Sequence, residues 1–147
     1  MINVQASSVI DAPSHKVWPI VRDFAAVAEW LPGVRSCVVE GDGLGDRLGA
    51  IRRLDMGEAG IIREQLRGLS DAAYRFDFAI IETSLPIIDY RSTIRLRPIT
   101  NGDRTFISWS GNFDTPPEHA AEMTARMPRD IYQPGLDGIA ALVAAAR

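Results

Sequence analysis

Lysine is almost missing from this chain: of its 16 basic residues only Lys16 is not an arginine. The arginines are dispersed and the 19 acidic residues outnumber them, giving a net charge of −3. That balance argues against a dedicated nucleic-acid binder, which concentrates basic charge on one surface. Cysteine occurs once, so no internal disulfide can form. Cys37 lies in the strand-like run Arg35-Ser36-Cys37-Val38-Val39 and reads as a small buried thiol rather than a nucleophile. Histidine occurs only as His15 and His119, each beside a helix start and neither clustered with cysteines or carboxylates, so no metal and no cofactor are expected. No apolar run approaches the ~18 residues of a membrane span. The N-terminal Met1-Ile2-Asn3-Val4-Gln5 lacks the basic and then apolar stretches of a signal peptide, which leaves a cytoplasmic protein as the expectation. Two catalytic signatures are missing as well. Gly41-Asp42-Gly43-Leu44-Gly45 reads as a hairpin turn without the Lys and Ser/Thr of a phosphate loop, and no Ser–His–Asp spacing stands out.

What is present describes one ordinary folded domain over residues 1–147, with 46% hydrophobic and 24% charged residues and no repeat or linker. A chain of this length hides roughly two-thirds of its unfolded surface and needs no staples. Residues 2–10 alternate as a strand with Ile2, Val4, Ala6, Ser8 and Ile10 on one side. Asp11-Ala12-Pro13-Ser14 breaks it, and Ser14 can cap a short helix carrying Val17, Trp18 and Val21, with Pro19 in its tolerant first turns. A second short helical piece spans 24–29 and ends at Trp30-Leu31-Pro32-Gly33. Strands are then predicted at about 34–40, 46–56, 60–69, 73–82, 88–98 and 104–113, separated by turn residues at hairpin spacing, which makes an antiparallel meander. Residues 116–146 read as a long helix whose stripe is Met123, Met127, Ile131, Gly135, Ile139, Leu142 and Val143. Pro128 and Pro134 predict a kink or break between 128 and 134. The fold class is therefore α+β.

Alternate strand residues face opposite sides, so the interior can be named. Ile88, Tyr90, Ser92, Ile94 and Leu96 share a face opposed by Asp89, Arg91, Arg95 and Arg97. Tyr74, Phe76, Phe78 and Ile80 oppose Arg75 and Asp77, and Ile107, Trp109, Gly111 and Phe113 oppose three polar residues. Two strands place charge among apolar neighbours: Arg52 beside Leu48, Ala50, Leu54 and Met56, and Glu64 between Ile62 and Leu66. Buried charges are costly alone and are normally paired. Arg52 and Glu64 are thus either a structural ion pair or polar anchors inside an apolar cavity. On the outer face Arg63, Arg67, Arg75, Arg91, Arg95 and Arg97 lie among acidic residues, which reads as cross-strand pairing on a solvated sheet, with a dimer surface as the alternative.

These residues also carry a family resemblance. Ile10-Asp11-Ala12-Pro13, Val17-Trp18, Asp23-Phe24 and Trp30-Leu31-Pro32-Gly33 resemble the opening of the polyketide cyclase/dehydrase-like branch of the SRPBCC (START-like, Bet v 1-like) superfamily. Arg52, Glu64-Gln65-Leu66, the run Pro86 to Ser92 and Trp109-Ser110-Gly111-Asn112-Phe113 extend the match over about residues 3–145. The resemblance implies a helix-grip fold: a curved seven-stranded antiparallel sheet around a long C-terminal helix, two short helices after the first strand, and a cavity between sheet and helix. It implies that Trp30-Leu31-Pro32-Gly33 and Gly57-Glu58-Ala59-Gly60 border the cavity mouth, and that Glu64, Tyr90, Ser92 and Trp109 line it.

The expected partner is a small apolar molecule, polyketide-like or lipid-like, bound by a monomer or homodimer. Its expected contacts are Trp30, Leu31, Arg52, Leu54, Glu64, Phe76, Phe78, Tyr90, Ser92, Trp109, Phe113, Met127 and Ile131. The alternative is a cyclase/dehydratase-type enzyme in which Glu64 transfers a proton, Tyr90 and Ser92 orient a carbonyl or hydroxyl, and Trp109 packs on the ring. A third possibility is an interaction protein with a vestigial pocket. Fold does not choose among them.

Overall fold

The computed structural model describes residues 1–146 except 42 and 44, so the turn expected at Gly41 to Gly45 falls partly outside the described residues. The strands are β1 (Ile2–Ile10), β2 (Ser36–Val39), β3 (Ile51–Asp55), β4 (Ile61–Ser70), β5 (Arg75–Glu82), β6 (Ile88–Ile99) and β7 (Arg104–Asp114). Helix α1 (Ser14–Val21) and a 3₁₀ segment (Phe24–Glu29) follow β1. All strands pair antiparallel in the order β1-β7-β6-β5-β4-β3-β2. The consecutive strands β2 to β7 form the expected meander, and β1 pairs with β7. One face of this sheet packs on the C-terminal helix, which is the helix-grip architecture.

Period-two patterning sets that face. In β7 Thr105, Ile107, Trp109, Gly111 and Phe113 are all buried, and in β5 so are Phe76 and Phe78. Helix α1 buries Val17, Trp18 and Val21, while the Trp18 indole and the Arg22 guanidinium both donate to the Asp71 carboxylate, at 2.7 and 2.8 Å, tying α1 to the β4–β5 turn.

Two strand readings need correction. The strand expected from 46 begins only at Ile51, and Leu48 is exposed rather than inward. Gly49 has φ +88°, a left-handed conformation that L side chains resist, so the chain turns there and meets β4 through the Gly49–Leu66 and Leu66–Ala50 backbone bonds and the Gln65 side chain on the Gly49 carbonyl. At the start of β6, Ile88 is exposed and Ile87 is buried instead. The register shifts between Ile88 and Arg91, with Asp89 at φ +53°, and this bulge reverses the alternation before Tyr90.

The C-terminal helix is broken where the prolines fall. A 3₁₀ turn (Pro117–His119) leads into α2 (Ala120–Arg126), a π-helical turn (Met127–Tyr132) and α3 (Gln133–Ala145). Pro128 has no N–H to continue the ladder, and the Gln133 N–H reaches back five residues to the Pro128 carbonyl. The wider turn alters the stripe: Tyr132 and Leu136 are fully buried, whereas Ile131 is half-buried. Among the described residues no helix is long and apolar enough to cross a membrane.

Candidate functional site

The sheet register sets Arg52 of β3 directly opposite Glu64 of β4. The Arg52 Nε and Nη2 both lie 2.8 Å from Glu64 Oε1, and Nη1 donates to the Phe24 carbonyl at 3.0 Å. The guanidinium also stacks over Phe24, 4.3 Å from its ring centre, with Phe78 and Phe76 at 5.1 and 5.7 Å. Both side chains are buried, at 3% and 9% exposure. Desolvating two charges is expensive, and here hydrogen bonds and aromatic faces offset it. Every partner of the carboxylate is on Oε1; Oε2 has no hydrogen-bond partner among the described residues.

Glu64 also forms part of the wall of a cavity of about 120 Å³ between sheet and helix. The sheet contributes Leu54, Ile62, Ile80, Tyr90 and Trp109; the broken helix contributes Arg126, Met127 and Ile131. Leu31, Met56, Ala59, Leu85 and Ile87 come from three connecting segments at one end of the fold. Glu64 is the single carboxylate in this wall.

Beside the cavity runs a chain of hydroxyl groups. The Trp109 indole donates to Ser92 Oγ at 2.7 Å, Tyr90 donates to the same oxygen at 3.3 Å, and Ser92 donates to the Ser110 carbonyl at 2.8 Å. The Tyr90 and Tyr132 hydroxyls bond to each other. Since Tyr90 spends its proton on Ser92, Tyr132 is the donor between them, and each proton of the set has an acceptor. Burial pushes the Tyr90 hydroxyl well above its ordinary pKa, with the neighbouring Tyr132 adding to the effect. Burial likewise raises Tyr132 to about 12. Both phenols therefore stay neutral at physiological pH. The Tyr132 ring stacks on Trp109 with 4.4 Å between centres and 15° between planes. A Cβ at Gly111 would overlap the Tyr132 hydroxyl, so the close approach of helix and sheet requires glycine there.

Of the residues expected at the site, Leu31, Leu54, Glu64, Tyr90, Trp109, Met127 and Ile131 line the cavity. Trp30, Arg52, Phe76, Phe78, Ser92 and Phe113 are buried around it without lining it. Trp30 packs edge-on against Trp109 at 5.8 Å, Phe113 packs on Tyr90 at 6.0 Å, and Phe76 and Phe78 enclose Arg52. Ser92 is saturated by the hydroxyl chain and has no proton left to offer. Sequence reasoning missed Ile87 because of the Asp89 bulge and Leu85 because it sits in an irregular loop. It also missed Tyr132, whose inward turn depends on the π segment, although Pro128 and Pro134 marked the place. Both expected mouth loops do reach the cavity, through Leu31 and Ala59.

Cys37 is half-buried, and burial raises its thiol pKa, the reverse of what a nucleophile needs. Among the described residues no cluster of His, Cys, Asp or Glu could hold a metal ion. On the outer face Arg63 pairs with Glu40 and Glu82, and Arg75 with its strand neighbour Asp77.

A family model described as polyketide cyclase/dehydrase and lipid transport matches residues 1–144. No curated protein matches the sequence. Among solved structures, a Nitrosospira multiformis protein is 28% identical with a TM-score of 0.79, covering 99% of both chains. A Thermobifida fusca protein is 25% identical with a TM-score of 0.87, covering 99% of this chain and 95% of its own. Norcoclaurine synthase of Thalictrum flavum shares the fold at a TM-score of 0.79, with 18% identity over 99% of this chain and 87% of its own.

Proposed function

The chain belongs to the polyketide cyclase/dehydrase and lipid transport family, and on that premise we propose that it binds a small hydrophobic or aromatic molecule in the cavity between sheet and C-terminal helix. The observation that carries this reading is the wall itself: a ring of mostly aliphatic and aromatic side chains from five strands, three connecting segments and the helix, with one buried carboxylate among them and the half-exposed Arg126 on the helix side. That composition is the usual makeup of a ligand pocket. Native mass spectrometry of the purified protein, followed by melting against a panel of hydrophobic metabolites, tests it. Bound mass, or a rise in Tm that disappears when Ile131→Trp fills the cavity, is the expected outcome. A chain that neither carries nor responds to any such molecule would overturn the reading.

One observation favours a second reading, catalysis with Glu64 as proton-transfer group. Its Oε2 is uncommitted at the cavity wall. Against this, Tyr90 and Ser92, the groups that would orient a substrate, are bonded to each other and to their neighbours. A lone carboxylate held by an arginine anchors a ligand more readily than it cycles a proton. Binding is therefore the preferred reading. Once a substrate is identified, turnover that survives Glu64→Gln removes the catalytic one.

A further inference from the structure

The size of the cavity and the state of its one buried carboxylate together define a ligand class. We infer that the cavity takes a neutral molecule no larger than a single six-membered ring, carrying one hydroxyl that donates to Glu64 Oε2. This rests on the binding reading above and narrows it.

The size limit follows from volume. At about 120 Å³ the space falls just below the ~150 Å³ of an apolar protein cavity that accommodates one benzene. A fused-ring polyketide or a long acyl chain does not fit without moving the walls. Those walls are not loose side chains alone. Trp109 is stacked on Tyr132 and edge-packed by Trp30, and Tyr90 is fixed by two hydrogen bonds.

The polarity of the ligand follows from which groups at the wall are already used. The Trp109 N–H is spent on Ser92, and the Tyr90 proton likewise. Glu64 has given one oxygen to Arg52 and retains the other. What the wall presents at depth is therefore a free acceptor: its cation, Arg126, is half-exposed and paired with Glu122, and the unpartnered Trp30 indole N–H is buried beside the cavity without lining it. A ligand acceptor such as a ketone finds no partner at that depth, whereas a hydroxyl does. Charge decides the rest. Arg52 already neutralises Glu64, so the site has no net negative charge to repay the desolvation of an ammonium ion. A neutral hydroxyl is the donor that fits.

The isosteric pair phenol and toluene tests this on the unaltered protein. In an ordinary apolar cavity toluene binds better, because the phenol hydroxyl is stripped of water without replacement. Here a hydrogen bond to a charged acceptor reverses the order, and phenol is expected to bind at least about tenfold tighter than toluene. Titration followed by methyl NMR reads both affinity and place, with shifts expected at Ile62, Met127 and Ile131. Toluene equal to or tighter than phenol would overturn the donor assignment while leaving the binding reading intact. 1-Naphthol tighter than phenol would overturn the size limit. Shifts confined to other methyls, or no response to any of the three up to their solubility, would overturn the inference, and a complete lack of response would count against the binding reading as well.

Discussion

Arg52 shows how one side chain serves both the fold and the site. Its guanidinium is flanked by aromatic rings, bonded to the Phe24 carbonyl and paired with Glu64, so it binds the 3₁₀ segment after α1 to β3 and β4. Removing one member of a buried pair strands the other charge, which typically costs about 3–5 kcal/mol, whereas replacing both with apolar residues is often neutral. Arg52→Met is thus expected to destabilise the chain by about 3–5 kcal/mol in urea denaturation at pH 7. The double variant Arg52→Met with Glu64→Leu should recover all but roughly 1 kcal/mol, the hydrogen bond lost to the Phe24 carbonyl. A single variant costing under about 1 kcal/mol would mean that water reaches the pair. Of the alternatives that the sequence left open, the ion pair holds for both residues, while only Glu64 also lines the cavity. Alternation along the strands could place both residues indoors, but not divide the two oxygens between two tasks.

At the scale of elements, the joint between helix and sheet depends on the π turn. The wide turn falls between Pro128 and Pro134, neither of which can donate to the helical ladder; Tyr132 at its end is buried, and Gly111 leaves room for its hydroxyl beside β7. Gly111→Ala inserts a methyl group where that oxygen sits, and overpacking of this kind costs about 1–3 kcal/mol. Tyr132→Phe removes the oxygen and costs about 1 kcal/mol for the lost bond to Tyr90. Because the methyl and the hydroxyl compete for the same space, the double variant should be more stable than the sum of the singles predicts, by at least about 0.5 kcal/mol in a thermal or urea cycle. Strict additivity would show that the helix does not approach β7 this closely. The same joint marks where the sequence stopped being legible. Regular periods revealed the strands, the break in the last helix, and cavity residues such as Leu54, Tyr90 and Trp109. They failed wherever the backbone leaves its period: at Gly49, which keeps Leu48 outside, at Asp89, which turns Ile87 inward, and at the π turn, which exchanges Ile131 for Tyr132 in the core. Pattern reading assumes a constant residue count per turn, and each of these positions changes it.

For the whole molecule, the hydroxyl chain makes stability depend on pH in an unusual range. Tyr132 has its pKa raised from 10.0 to about 12 in the folded chain, and Tyr90 is raised as well, both chiefly by burial. An acid whose native pKa lies above its unfolded value holds its proton longer in the native state. Between about pH 10 and pH 12 the native chain therefore binds more protons than the unfolded one, and stability falls as pH rises. Below the unfolded value both states are protonated and the contribution is fully present. The tyrosine share of the loss should consequently be absent between pH 7 and 9, begin near pH 10 and steepen toward 12, while the raised Cys37 thiol adds a decline from about pH 9 that the Tyr132→Phe variant shares. Tyr132→Phe removes one of the two groups, so its stability should fall less steeply over the same interval, with Tyr90 supplying the remaining slope. Urea midpoints measured for both chains at pH 8, 10 and 11 decide the matter, each compared with its own value at pH 8. Parallel decline of the two chains would assign alkaline unfolding to groups elsewhere. A shallower decline in the variant would locate the sensitivity at the one place where the C-terminal helix, β6 and β7 share a line of protons beside the cavity.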